Sequence, residues 1–318
     1  VSASIVTLAR WLGPWADAKA APEVDVVETV EAGTRVRLYG HGAPWLIAPG
    51  LHYAGPDDPR MDRFCRILAA AGHMVIAPFV RDYLALVPCA RAIEDFRNVY
   101  DACEQPTIFS ISFGSLLAFA VAAERDVGRL VIFGGYADFH ETMKYCLTGP
   151  GRDPLNQPVV IMNLLDYIEH SHRDELVGAW RRYVERTWGR PEMKARERYE
   201  AVAREIEPSV PAIARELFMA GILPGAWSLA GPALAQFDAS ALDPRPYLKN
   251  VRAEVDLVHG AADDVIPFQQ SHALAALLPH ARVHITGMYG HTGASGARLA
   301  ALPRELATMY RVLRVLAR

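Results

Sequence analysis

The 318-residue chain predicts an α/β protein, a mostly parallel β-sheet covered by helices on both faces with a helical segment inserted into it. Three observations carry this. Short apolar, β-branched runs alternate with helical patterns from residue 24 to 139, and the same rhythm returns at 252. Between them lie roughly a hundred residues without a convincing strand.

The elements follow in order. In the N-terminal segment 1–23, Ile5, Leu8, Leu12 and Trp15 fall on one helical face and Arg10 interrupts any signal-like apolar core, which predicts a docked amphipathic helix. The alternative is a membrane-surface or partner-binding helix. "VDVVETV" and "TRVRLYG", separated by Glu31-Ala32-Gly33, read as an antiparallel pair. "PWLIAPG" (44–50) is a short buried strand, 59–72 a helix ending in Gly, 73–79 a strand and 89–103 a helix. "PTIFSIS" gives a strand, "GSLLAFAVAAERD" a helix and 128–136 a further strand. The segment 140–250 is helical and aromatic, with "PVVIMN" (158–163) its one strand-like run, amphipathic helices over 172–188 and 191–207, and a Gly- and Pro-broken apolar stretch over 218–237. After it come strand "AEVDLVHG", helix "PFQQSHALAALLP", strand "ARVHITG" and a closing helix over 296–317. The expected organisation is a segment at 1–23, a core of 24–139 and 251–318, and an insertion at 140–250.

With 51% hydrophobic and 22% charged residues the chain can bury a sizeable core. A net charge of −3 without a Lys/Arg block gives no footprint for nucleic acid or an anionic membrane. No run of 18 apolar residues marks a transmembrane helix. Cys65, Cys89, Cys103 and Cys146 are too scattered for a metal or redox pair or a disulfide framework, so reduced thiols and a cytoplasmic setting are expected. The sequence holds no HExxH and no Gly-rich phosphate loop, and no cofactor or metal is expected.

"PTIFSISFGSLLAFA" (106–120) is a strand running into a tight turn and then a helix. Such a turn holds its central residue in a strained conformation with the side chain exposed, and it needs small residues two positions either side, where strand and helix pass close together. Ser112 is flanked by Ser110 and Gly114, whereas Ser110 is flanked by Ile108 and Ser112. Sterics therefore select Ser112 over Ser110 as the candidate nucleophile, with a helix N-cap as its alternative role, and leave Ser110 as a small packing residue. A serine hydroxyl also needs a base, and the base a carboxylate to orient it. Both are offered after strands in "VHGAADDVIPFQQSHALAALLPHARVHITGMYGHTG".

With these residues in place the chain resembles the α/β-hydrolase superfamily, in its cap-bearing serine esterase/lipase-like members, over roughly 24–140 and 250–318. The chain order Ser, acid, His matches. The family's acid follows a late-strand glycine by three positions and precedes a proline by four, which implies Asp263, between Gly260 and Pro267. Its neighbour Asp264 is expected to cap the helix near Pro267. His291 in "YGHTG" is the implied base, while His259, His272, His280 and His284 are expected to pack or lie at the surface. Asp138, after the sixth strand, is the alternative acid position. The resemblance further implies an oxyanion hole from the amides of Phe113 and Leu51, although Pro49 stands where the family has His. His52 and Tyr53 could line the pocket or only structure the loop. The insertion 140–250 would be a cap, and the aromatic and aliphatic content of 217–237 favours an apolar acyl or aromatic substrate portion.

The reading is a serine hydrolase acting on a small-molecule carboxylic ester. Alternatives on the same triad are an acyltransferase, a thioesterase or a C–C bond hydrolase, and from another class a noncatalytic binding protein. The cap or the N-terminal helix would supply the surface of a homodimer.

Overall fold

The computed structural model describes residues 2–12, 16–291 and 302–318. Trp15, residues 292–301 and with them the end of the "GHTG" loop and the start of the closing helix lie outside the described residues. The chain forms two compact units, one of 1–138, 241–263 and 268–318, the other of 139–240 and 264–267.

The first unit is built on one eight-stranded sheet. Its strands are β1 (Val26–Glu31), β2 (Thr34–Tyr39), β3 (Ala43–Ala48), β4 (His73–Pro78), β5 (Thr107–Ile111), β6 (Arg129–Phe133), β7 (Glu254–Gly260) and β8 (Ala281–Thr286). They lie in the order β1-β2-β4-β3-β5-β6-β7-β8. β1 pairs antiparallel with β2 and β2 with β4; every later pairing is parallel. Ala32 and Gly33 both take positive φ, 47° and 82°, the turn that suits the twist of a two-residue hairpin.

The helices of this unit are α1 (Ala3–Leu12), α2 (Pro59–Ala70), α3 (Arg81–Leu84), α4 (Ala90–Asp101) and α5 (Gly114–Glu124), then further on Arg245–Leu248, Gln269–Leu277 and Leu302–Leu316. Asp58 caps α2, its carboxylate accepting from the Arg60 amide at 2.7 Å, with Pro59 at the first helical position. Period-two alternation along the strands sorts the core. Trp45 and Ile47 of β3, Phe109, Val131 and Val258 meet Leu8 of α1, Cys65 and Leu68 of α2, and Val312 and Leu316 of the C-terminal helix. The N-terminal helix is thus part of the core, its Trp11 carbonyl accepting from Arg63 at 2.7 Å. α5 is buried from Gly114 to Ala122, which explains why its sequence is apolar all round.

The second unit is helical among its described residues: α6 (Phe139–Thr148), α7 (Gln157–Asn163), α8 (Arg173–Thr187), α9 (Arg196–Ile206), α10 (Arg215–Ala220) and α11 (Trp227–Gln236), with 3₁₀ turns between them. The strand-like "PVVIMN" is helix α7. Pro158 sits in its first turn and Pro158–Met162 are buried all round, so no period separates helix from strand. The helix expected over 191–207 is a 3₁₀ turn, Pro191–Lys194, then α9, broken at the extended Ala195. Trp180, fully buried, donates its indole N–H to the Phe218 carbonyl at 3.1 Å. Phe218, Ile222, Ala226, Ala230 and Leu234 are buried, so most of the apolar content of 217–237 belongs to this unit's own core. Among the described residues no helix is long and apolar enough to cross a membrane. None of the four cysteines is in a disulfide.

Candidate active site

The site is assembled at the C-terminal ends of neighbouring strands β3, β5, β6 and β7. Ser112 follows β5 directly and is one of the few non-glycine residues with positive φ, 54°. That left-handed backbone costs on the order of 1 kcal/mol or more, and it persists only where the surroundings impose it. They do so from both sides. The Ser112 amide donates to the Phe133 carbonyl at the end of β6, at 2.8 Å. A Cβ at Gly114 would lie 2.1 Å from the Ala48 carbonyl oxygen and 2.6 Å from that of Pro49, so α5 can start against the end of β3 only with glycine there. On the other side of the turn Ser110 is fully buried, and its hydroxyl has no hydrogen-bond partner among the described residues.

The chain beyond β3 runs against the same turn. A Cβ at Gly50 would stand 3.3 Å from Ser112 Cβ and 3.2 Å from the Ile111 carbonyl oxygen, which brings the backbone leading into Leu51 alongside the serine. Tyr83 fixes the next peptide from below, its buried hydroxyl donating to the Phe113 carbonyl at 3.1 Å. Burial pushes the Tyr83 hydroxyl well above the ordinary phenol range, so it stays a donor. The Phe113 ring packs 5.2 Å from that of Tyr136. His52 structures its own loop: Nδ1 accepts from the Ala54 amide at 3.2 Å, and Nε2 lies 3.0 Å from Asp58.

Asp263 and His291 meet. The His291 Nδ1–H donates to Asp263 Oδ2 at 2.8 Å, which leaves Nε2 with the lone pair. The loops that carry them touch at Gly260, where a Cβ would lie 2.1 Å from the Tyr289 carbonyl oxygen and 3.2 Å from Gly290 Cα. Gly134, with φ of 61°, lies against the pair: a Cβ there would be 3.4 Å from Asp263 Oδ2 and 3.6 Å from His291 Nδ1. Residues 133 and 134 thus join Ser112 to the Asp–His pair through one turn. Burial pushes the Asp263 carboxyl up, but the charge of His291 and hydrogen bonds from His259 and His291 outweigh it and hold the group well below the ordinary carboxylate range. It is an ionised acceptor at neutral pH.

Two neighbouring carboxylates do other work. Asp138 binds Arg245 at 2.9 Å, while its amide and that of Ala137 donate to the Gln270 side chain. Asp264 does not cap the following helix, whose N-cap position is Phe268 without a side-chain bond. It pairs instead with Lys194, which also binds Asp153 at 2.9 Å. A second Asp–His pair, Asp256 and His284 at 3.0 Å, sits near the start of β7 with Arg129 and Arg282 around the carboxylate and is a buried structural network. His259, expected from the sequence to pack or lie at the surface, reaches the acid. Its ring is fully buried and its Nε2 stands 3.3 Å from Asp263 Oδ2. The available signal is its place at the end of an apolar strand four residues before the acid, since a buried imidazole has to find partners. Among the described residues no group of three or more His, Cys, Asp or Glu side chains is arranged to hold a metal ion.

Several solved structures are similar to the chain. A meta-cleavage product hydrolase from Pseudomonas fluorescens is 17% identical, with 91% of this chain and 96% of that one covered at a TM-score of 0.46. A serine hydrolase from Cycloclasticus zankles is 14% identical over 92% and 97%, at 0.49. An acylaminoacyl peptidase from Pyrococcus horikoshii is 10% identical, covering 93% of this chain and 41% of that one at 0.50. The sheet, antiparallel over its first two pairings and parallel from there on with helices between the strands, has the architecture of the α/β-hydrolase fold. Identities this low show the fold alone. No family model and no curated protein matches the chain. What this α/β-hydrolase fold does must be argued from its own side chains.

Proposed function

We propose that the protein is a serine hydrolase that cleaves carboxylic esters through Ser112, His291 and Asp263. The observation that carries this reading is the 2.8 Å bond from His291 Nδ1 to a buried, ionised Asp263, which directs the basic Nε2 away from the acid. The left-handed Ser112 at the end of β5, one strand away from β7 across β6, supports it. His291 Nε2 takes the proton as Ser112 Oγ attacks the ester carbonyl carbon. The oxyanion accepts hydrogen bonds from the amides of Phe113 and Leu51. Collapse expels the alcohol, which receives the proton from His291, and leaves an acyl-enzyme. Water, deprotonated by His291, then attacks the acyl carbon, and the acid departs as Ser112 regains its proton. Asp263 remains a carboxylate throughout and stabilises the imidazolium. The helical unit inserted after β6 is assigned the part of a cap, and an apolar acyl or aromatic portion is the substrate class assigned to the ester.

The test is turnover of p-nitrophenyl esters of short and long acyl chains by the wild type and by Ser112→Ala. The reading expects hydrolysis that falls by orders of magnitude in the variant. Full turnover by a folded Ser112→Ala protein overturns it.

A further inference from the structure

A carboxylate serving one histidine does not need a second one, yet Asp263 Oδ2 has two. His291 Nδ1 lies 2.8 Å from it, and His259 Nε2 lies 3.3 Å away on the side of the strand. Because the carboxylate only accepts, His259 Nε2 has to carry a proton. The other nitrogen then has to accept. It does, from a hydroxyl: Ser271 Oγ stands 2.7 Å from His259 Nδ1, in the helix Gln269–Leu277. Neither imidazole nor hydroxyl touches solvent, with His259 at 0% and Ser271 at 1% exposure. Buried polar side chains this costly to desolvate are retained where the hydrogen bonds do something.

We propose that His259, its tautomer set by Ser271, is a positioning residue for Asp263: it holds the carboxylate oxygen in the orientation that receives His291 Nδ1–H. The inference rests on the triad reading above. The geometry explains why one oxygen suffices for both rings. Asp263 follows β7 by three residues in the turn closed by its own amide on the Gly260 carbonyl, at 3.2 Å. That turn places the backbone, and His259, rigid on the strand and four residues earlier, gives the Oδ2 oxygen a second, buried donor beside His291. Removing it leaves Asp263 ionised and close to His291 but takes away one of the bonds that orient its carboxylate, so the chemical step suffers and ester binding does not.

The experiment compares wild type, His259→Gln, His259→Leu and Ser271→Ala for kcat, KM and melting temperature, together with histidine ¹⁵N spectra. Gln keeps an N–H donor at similar reach; Leu removes it. His259→Leu should lower kcat about 10- to 100-fold, the size of one hydrogen bond to a buried charge, with KM nearly unchanged. His259→Gln should recover most of that loss. Ser271→Ala should lower kcat several-fold and supplies the same reading if the leucine variant does not fold. In the wild-type spectra His259 should be the Nε2–H tautomer, a result independent of turnover. Wild-type kcat in folded His259→Leu or in Ser271→Ala, equal losses in the Leu and Gln variants, or an Nδ1–H tautomer overturns the inference. Loss of the triad reading shows differently: Ser112→Ala turns over normally whatever His259 does.

Discussion

Gly260→Ala tests how tightly the acid and base are held. The added Cβ would sit 2.1 Å from the Tyr289 carbonyl oxygen and 2.8 Å from its carbon. Ordinary contact begins at 3.4 Å, so the Tyr289–Gly290 backbone has to retreat by about 1.3 Å, and no flexible side-chain tip can absorb the shift. His291 is the next residue on that backbone, and Asp263 is anchored by its amide to Gly260 itself. A displacement near 1 Å costs roughly 100-fold in a reaction that depends on alignment. The expected result is a kcat on a p-nitrophenyl ester lower by about two orders of magnitude, at a KM changed far less. Steady-state kinetics at a temperature well below the variant's calorimetric melting point separates this from unfolding. A folded Gly260→Ala enzyme with wild-type kcat refutes the reasoning.

Three further outcomes follow from the same geometry. Asp263→Asn should lower kcat by about 10³- to 10⁴-fold, because the amide no longer fixes the His291 tautomer or balances its cation, whereas Asp138→Asn gives up its charge pair with Arg245 and should stay active; kinetics of the two variants decides. Ser110→Ala removes a buried hydroxyl without a partner and should leave stability, read by thermal unfolding, unchanged or raised by up to about 1–2 kcal/mol; Ser110→Gly should remain active, while Ser110→Leu overpacks the site under Ser112 and should be inactive. Asp58, Asp256 and Asp263 are all held below their ordinary carboxyl values: burial pushes each up, and it is outweighed by His52 and Arg60, by His284 and Arg282, and by His291 and His259 respectively. Such groups stabilise the fold fully above the unfolded carboxyl value, near about 4, and the contribution is lost as pH falls below it. Melting temperature should therefore be flat from neutral pH to about 5 and fall steeply below about 4; a flat profile down to pH 3 contradicts this.

The strands of the sheet are legible in the sequence as short runs rich in apolar and β-branched residues, which alternate with charged or polar ones in β1, β2 and β8. Ser112 is legible for a steric reason, since Gly114 and Ser110 are the small residues a left-handed turn between β3 and β6 demands. Harder to see are elements too short for a period, such as α3, and α7, whose all-round burial erases the contrast between helix and strand. Side-chain partners across the fold are hardest. Lys194 reaches Asp264 from 70 residues away, and neither residue's neighbourhood in sequence announces it. His259 escapes for a similar reason: the end of a buried strand suggests packing, and only its partners, Asp263 and Ser271, distinguish packing from positioning.

The central claim is that Ser112 is the nucleophile. Incubating the native protein with a fluorophosphonate probe and mapping the adduct by mass spectrometry tests it most directly. The account predicts one adduct, on the peptide carrying Ser112, abolished in Ser112→Ala and formed far more slowly in His291→Ala. Folded wild-type protein that stays unlabelled at Ser112, or takes the probe on another serine, contradicts it.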